Sequence, residues 1–157
     1  MMTLQIVENY DQLIQVRALL RKYADTRKND PALLSFPEEI KNLPGEYAPP
    51  DGGLMLAYSD GTVAGCVALR RLDHEVCEMK RLYVLPRFRG RGIGRHLVEA
   101  ILKQAHMMGY LRMRLDSIPG MGAAQTLYKS VGFYEIDPYR DNPNEGTAYY
   151  EIELHDR

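Results

Sequence analysis

Arg89-Gly90-Arg91-Gly92-Ile93-Gly94-Arg95 stands between a strand-like run, Glu78-Met79-Lys80-Arg81-Leu82-Tyr83-Val84, and a long amphipathic stretch. Three glycines in that turn let the backbone adopt angles that a Cβ forbids and let it approach a ligand closely. A helix that starts there offers N–H groups without intrahelical acceptors, and a partial positive charge that suits an anion. Arginines at 87, 89, 91 and 95 add charge around the same spot. Strand, glycine turn and helix start together describe a phosphate cradle. A plain strand-to-helix turn with solvated basic side chains would account for the glycines alone, so the rest of the chain has to decide. A Walker A loop is excluded because no Gly-Lys pair occurs. A dinucleotide fingerprint is excluded because the third glycine falls one residue early, at 94. The spacing present is Arg-x-x-Gly-x-Gly, from Arg89 through Gly92 to Gly94.

Downstream of the turn, Ile93, Leu97, Val98, Ile101, Leu102, Ala105 and Met108 mark one face of a long helix. Arg112–Asp116 reads as a strand, Gly122–Val131 as a helix, Phe133–Ile136 as a strand, Asp137–Gly146 as a polar loop and Ala148–Leu154 as a last strand. Upstream, Leu4–Val7 reads as a strand. Asp11–Tyr23 is a helix, with apolar residues at 13, 16, 19, 20 and 23, and Pro31–Leu43 a second, less periodic one. Pro44–Gly53 holds three prolines and three glycines and is expected to be ordered but irregular. Gly53–Tyr58 and Thr62–Arg70 flank Ser59-Asp60-Gly61, a hairpin signal, and Val76–Val84 is the strand before the glycine turn. Early hairpins followed by a strand–helix–strand crossover imply an α/β (α+β) fold. It is a mixed, mostly antiparallel sheet of about seven strands with helices on both faces.

At 157 residues the chain is expected to form one domain, 1–157, with a full hydrophobic core. The hydrophobic fraction of 45% is ordinary for a globular protein, and no linker, repeat or low-complexity segment divides it. A net charge of −1 argues against nucleic acid or an acidic membrane surface as a partner. No apolar run approaches a membrane span, and Met1–Val7 lacks the regions of a signal peptide. Cys66 and Cys77 have neither metal-ligand nor disulfide-framework spacing, so a reduced, cytoplasmic setting is expected.

The Arg89–Gly94 spacing, placed between a fourth strand and a third helix, resembles motif A of the GNAT superfamily of acyl-CoA-dependent N-acetyltransferases. Ala123-Ala-Gln-Thr-Leu-Tyr128-Lys-Ser-Val-Gly132-Phe133 resembles motif B. Two motifs in the right order are far more specific than either alone, and the likeness extends to Leu43–Pro50 and Asp141–Pro143. The resemblance implies parallel fourth and fifth strands that splay apart to admit acetyl-CoA as acyl donor, with no metal. Backbone groups at Leu82, Tyr83 and Val84 would hold its pantetheine arm. The N–H groups of Arg89, Gly90, Arg91, Gly92, Ile93 and Gly94 would take the pyrophosphate, with Arg95 close by. An N–H aimed at the acetyl oxygen would stabilise developing negative charge. The acceptor would be a small-molecule or protein amine, and a homodimer stays open.

By the same resemblance Tyr128, on the motif B helix, would protonate the departing thiolate. Its other reading is core packing beside Ala124, Leu127 and Val131. Glu78, six residues before Val84, matches a strand glutamate that serves as base in one branch of the family. Its alternative is an exposed carboxylate paired with Lys80 or Arg81. Asp116 or a water is a further option for the base. His74, His96, His106 and His155 have no ligand or triad spacing. Acceptor contacts would come from Tyr23, Phe36, Tyr47, Tyr139, Arg140 and Asn142, which do not select one amine. Two other classes remain: a non-catalytic acyl-CoA sensor or interaction domain, and a nucleotide-binding module. The missing Gly-Lys-Ser/Thr counts against the second.

Overall fold

The computed structural model describes residues 1–155. Strand β1 (Met2–Ile6) is followed by helices α1 (Tyr10–Asp25) and α2 (Phe36–Lys41), then strands β2 (Gly53–Ser59), β3 (Thr62–Arg71) and β4 (Val76–Val84). Helix α3 (Ile93–Met107) leads to β5 (Arg112–Ser117), α4 (Gly122–Val131), β6 (Tyr134–Ile136) and β7 (Ala148–Glu153). The seven strands form one sheet in the order β1-β2-β3-β4-β5-β7-β6. Its pairs are antiparallel apart from β4–β5. The mixed, mostly antiparallel sheet expected from the alternation of elements is the sheet found.

Local chemistry sets the boundaries. Helix α1 opens in a capping box. Asn9 Oδ1 accepts from the Gln12 N–H at 2.9 Å, and Gln12 Oε1 accepts from the Asn9 N–H at 3.2 Å. The β2–β3 turn has positive φ at both Asp60 and Gly61, the geometry that matches the right-handed twist of a two-residue hairpin. The helix expected over Pro31–Leu43 is broken into a 3-10 turn at Pro31–Leu33 and α2. Pro37 is the reason: its ring would clash with the carbonyl four residues back, and it has no N–H to donate.

In β3 every residue from Ala64 to Leu69 is buried, so both faces of the sheet centre are covered. Val16, Leu19, Leu20 and Tyr23 supply the inward stripe of α1. Ile93, Leu97, Val98, Ile101, Leu102 and Ala105 supply that of α3, which packs on β2, β3 and β4. Both stripes follow the period read from the sequence, except that Leu13 and Met108, at the outer ends, are only partly buried.

Two irregularities place the site. Between Cys66↔Tyr83 and Ala68↔Lys80, β3 has one intervening residue and β4 has two. Arg81 sits in that bulge with φ of +60°. A non-glycine residue there costs about 1–3 kcal/mol and needs neighbours to hold it. Glu39 accepts from Arg81 Nε and from its terminal nitrogen, each at 2.7 Å, and the guanidinium lies 4.7 Å from the centre of the Phe36 ring. The parallel pairing of β4 and β5 runs only from Val76↔Arg112 to Glu78↔Arg114. Beyond it each strand keeps its outer neighbour: β4 stays on β3 through Val84, and β5 stays on β7 through Ser117. The expected separation of the two strands therefore begins at Glu78, a little before Lys80. A bulge bends its strand and raises the local twist, which turns the end of β4 away from β5.

Candidate active site

Separation of β4 and β5 opens a cavity of about 220 Å³. Met79, Lys80 and Leu82 line it from β4, Leu115, Asp116 and Ser117 from β5, and Tyr128 from α4. Tyr23 and Arg27, from the end of α1 and the loop after it, close one side, and Arg140 and Asn142 from the β6–β7 loop close another. Residues 79–84 of β4 have no strand partner on the β5 side. A strand edge of that kind presents backbone donors and acceptors that must be satisfied by something else.

The glycine turn stands at the other end of the same strand. Gly90 and Gly92 have φ of +79° and +81°, and Gly92 caps α3. The first backbone bond into the helix is the one His96 N–H donates to the Gly92 carbonyl at 3.1 Å. Ile93, Gly94 and Arg95 are thus left without intrahelical acceptors, as helix starts are. A Cβ on Gly94 would stand 3.6 Å from Leu127 and 3.9 Å from Val84, filling the gap between β4 and α4. Nothing lies within 4 Å of a Cβ built on Gly90.

The arginines of the turn are placed differently from one another. Arg89 donates from Nε to the Val84 carbonyl at 2.9 Å, so that carbonyl already has one partner. Arg95 reaches Ser130 at 2.5 Å and Glu99 at 3.3 Å, tying α3 to α4. Arg87 and Arg91 stack against Phe88.

Tyr128 is at once a packing residue and a lining residue of the slot. Its ring packs against Phe133 and Tyr150 at centroid distances of 5.9 and 6.3 Å, yet it also lines the slot. Burial, with the nearby charges of Tyr23 and Asp116, pushes its hydroxyl pKa well above the ordinary tyrosine value. It therefore keeps its proton throughout the neutral range.

Glu78 is fully buried, unlike the exposed carboxylate that was the alternative. Its hydrogen-bond partners are neither Lys80 nor Arg81, although the Lys80 charge acts on it. Oε1 accepts from Arg70 Nε at 2.9 Å, and Oε2 accepts from the Tyr139 hydroxyl at 2.6 Å and from Arg140. Arg70 also donates to Glu46 at 2.6 Å. Burial pushes the Glu78 carboxyl up. The Lys80 charge and the hydrogen bonds from Arg140 and Tyr139 outweigh it, and the pKa lies below the usual glutamate value. Asp116 faces the slot with lighter contacts: Asn142 Nδ2 at 3.3 Å and an Arg140 nitrogen at 3.8 Å.

Of the residues expected around an acceptor, Tyr23, Arg140 and Asn142 line the slot, and Tyr139 stands behind it on Glu78. Phe36 and Tyr47 are buried packing residues. Burial pushes the thiols of Cys66 and Cys77 each up to about 12, so neither is a nucleophile near neutral pH. Among the described residues no group of His, Cys, Asp and Glu could hold a metal ion, and no helix is long and apolar enough to cross a membrane. Sequence reading missed Lys80 as a slot residue and the Glu78–Arg140 pair. The pair spans 62 residues, and no local pattern marks it.

A sheet whose one parallel pair opens beside a glycine-capped helix is the frame of an acyltransferase of the GNAT type. Residues 14–133 match the model of the acetyltransferase (GNAT) family, and the chain belongs to that family. It is 32% identical to an uncharacterised N-acetyltransferase of Dictyostelium discoideum, with 95% of this chain and 97% of that protein covered. An acetyltransferase from Streptococcus agalactiae superposes with a TM-score of 0.79 at 22% identity, covering 97% of this chain and 98% of the other. A GNAT family acetyltransferase from Elizabethkingia anophelis, solved with acetyl-CoA bound, superposes with a TM-score of 0.64 at 18% identity, each chain being 97% covered.

Glu78→Gln should lower stability by roughly 3 kcal/mol, the scale for breaking a buried ion pair, because Arg70 and Arg140 lose the buried carboxylate they share and keep only the more exposed Glu46 and the more distant Asp116. The carboxyl pKa is lower folded than unfolded, so its contribution is present above about pH 4.5 and lost as pH falls through the folded value. Thermal melts from pH 3 to 7 should therefore show a smaller loss in acid for the variant than for the parent.

Proposed function

We propose that this chain transfers the acetyl group of acetyl-CoA to a primary amine by direct attack in a ternary complex. The observation that carries the reading is the unpaired edge of β4 from Met79 to Val84, which ends at a glycine-capped helix start. An extended arm with amide groups is the ligand that such an edge complements, and a pyrophosphate is the anion that such a turn complements. Leu82, Tyr83 and Val84 would hold the arm. The N–H groups from Arg89 to Gly94 would hold the phosphates, with Arg89 and Arg95 at the rim. Acetyl-CoA, when bound, supplies an activated thioester. The inert cysteines favour direct transfer over an acyl-cysteine route.

Tyr128 holds a proton at its hydroxyl, inside the slot, where a departing thiolate requires one. The acceptor amine arrives protonated and has to lose a proton before it can attack. Glu78 is one candidate carboxylate for that step. Its two oxygens already take two guanidiniums and a phenol, which weakens it as a base. The geometry favours Glu78 as the residue that positions Arg140 and Tyr139. Asp116, open to the slot and lightly held, is the carboxylate that can meet the ammonium.

Thiol release from acetyl-CoA over a panel of amines tests the reading. Acetyl-CoA binding with no amine turned over would make the chain a sensor instead. Tyr128→Phe should reduce kcat about 10²–10⁴-fold, the usual scale for a general acid, with acetyl-CoA affinity nearly unchanged. Turnover close to the parent value would assign Tyr128 to packing alone. Gly92→Ala should cost only about 1–2 kcal/mol of stability through its positive φ. It should weaken acetyl-CoA binding at least tenfold by calorimetry, and equal affinity would remove the glycine turn from the site.

A further inference from the structure

Three guanidiniums reach the acceptor side of the slot, and each has a carboxylate partner: Arg27 with Asp30, Arg81 with Glu39, Arg140 with Glu78. Lys80 differs. It lines the same cavity and feels the charges of Glu78 and Asp116, but its ammonium makes no hydrogen bond or ion pair with any described residue. Asp116 stands on the opposite strand with only an amide contact at 3.3 Å and a guanidinium nitrogen at 3.8 Å. A cation on β4 and an anion on β5 thus border one cavity without bridging each other. A second observation points the same way. The Nε–H of Arg27, also a residue of this slot, is a buried donor with no partner among the described residues.

A buried donor without a partner, and partly buried charges held this lightly, are costly unless something pairs with them. A purely cationic acceptor would satisfy Asp116 and be repelled by Lys80, the slot cation without an ion pair of its own among the described residues. An amine with no second charge would leave Lys80 with only the longer-range attraction of Glu78 and Asp116 and no direct partner. A molecule with both an ammonium and a carboxylate satisfies both. We propose that the acceptor is a small amino carboxylate, a free amino acid or a close relative, its carboxylate on Lys80 and the Arg27 Nε–H and its amine on Asp116. This inference rests on the slot being where donor and amine meet, and it adds the class of amine.

The test uses matched sets: each common amino acid, its primary amide and its decarboxylated amine. Binding is measured by calorimetry to the protein saturated with CoA, so that no turnover intervenes. At least one amino acid should bind, with its amide and its amine at least tenfold weaker. Lys80→Met should abolish that difference while CoA affinity and melting temperature stay near the parent values, and Lys80→Arg should retain it. The proposal is overturned if carboxylate-free analogues bind as tightly as amino acids, if no member of any set binds, or if Lys80→Met weakens all three forms alike. Turnover by thiol release separates this inference from the transferase reading. An amino acid that binds with this preference but is never acetylated removes the transferase reading and keeps this one. Rapid acetylation of carboxylate-free amines, unaffected by Lys80→Met, does the reverse.

Discussion

Backbone pairing between β4 and β5 ends at Glu78 and Arg114, and the rest of the molecule is arranged around that interruption. A continuous parallel pair would satisfy every N–H and C=O at the sheet centre and leave no entrance. The extra residue at Arg81 prevents this, and α2 keeps the extra residue in place through Glu39 and Phe36. A short helix remote from the glycine turn therefore holds the bulge that borders the slot. The link runs from a proline that shortens α2, through a bidentate ion pair, to the backbone of β4.

Charge is handled by a different rule on each side of the opening. Deep in the sheet, Glu78 is the common acceptor for Arg70, Tyr139 and Arg140, two of which come from the irregular β6–β7 loop. That loop is further tied by Asn142 to Asp116, by Asn144 to Asp30 at 2.7 Å, and by its own Arg140 carbonyl to the Tyr149 hydroxyl at 2.9 Å. A polar segment that would otherwise be free to move is thereby fixed against the sheet. Asp116 and Lys80, facing the cavity, are left with little. The contrast between saturated and unsaturated charge separates framework from contact surface more clearly than residue type does.

Most of the architecture was legible because it depends on local patterns. The periods of α1 and α3, the hairpin at Asp60-Gly61 and the strand–glycine–helix run each signal their structure within about a dozen residues. Pro37 lies inside the Pro31–Leu43 stretch read as one helix, and the weak period there does not show that it divides it. Three things were not legible. The bulge depends on a non-glycine residue at positive φ, which no composition rule marks at Arg81. The burial of Glu78 depends on Arg70 and Arg140, brought in from a neighbouring strand and a distant loop. The isolation of Lys80 is a property of what its neighbours already bind, and sequence carries no trace of that.

The bulge also changes how β4 is counted. Alternation places Glu78 and Lys80 on one face, and an unbroken strand would send Tyr83 to the other. The inserted residue shifts the phase, and Tyr83 returns to meet Tyr23 of α1 at a centroid distance of 5.6 Å. The two halves of the strand thus share a face only while the number of residues between them is kept. Like a reading frame, β4 tolerates changed letters far better than a changed count. Losing one residue between Lys80 and Tyr83 would exchange inside for outside along the edge that borders the slot.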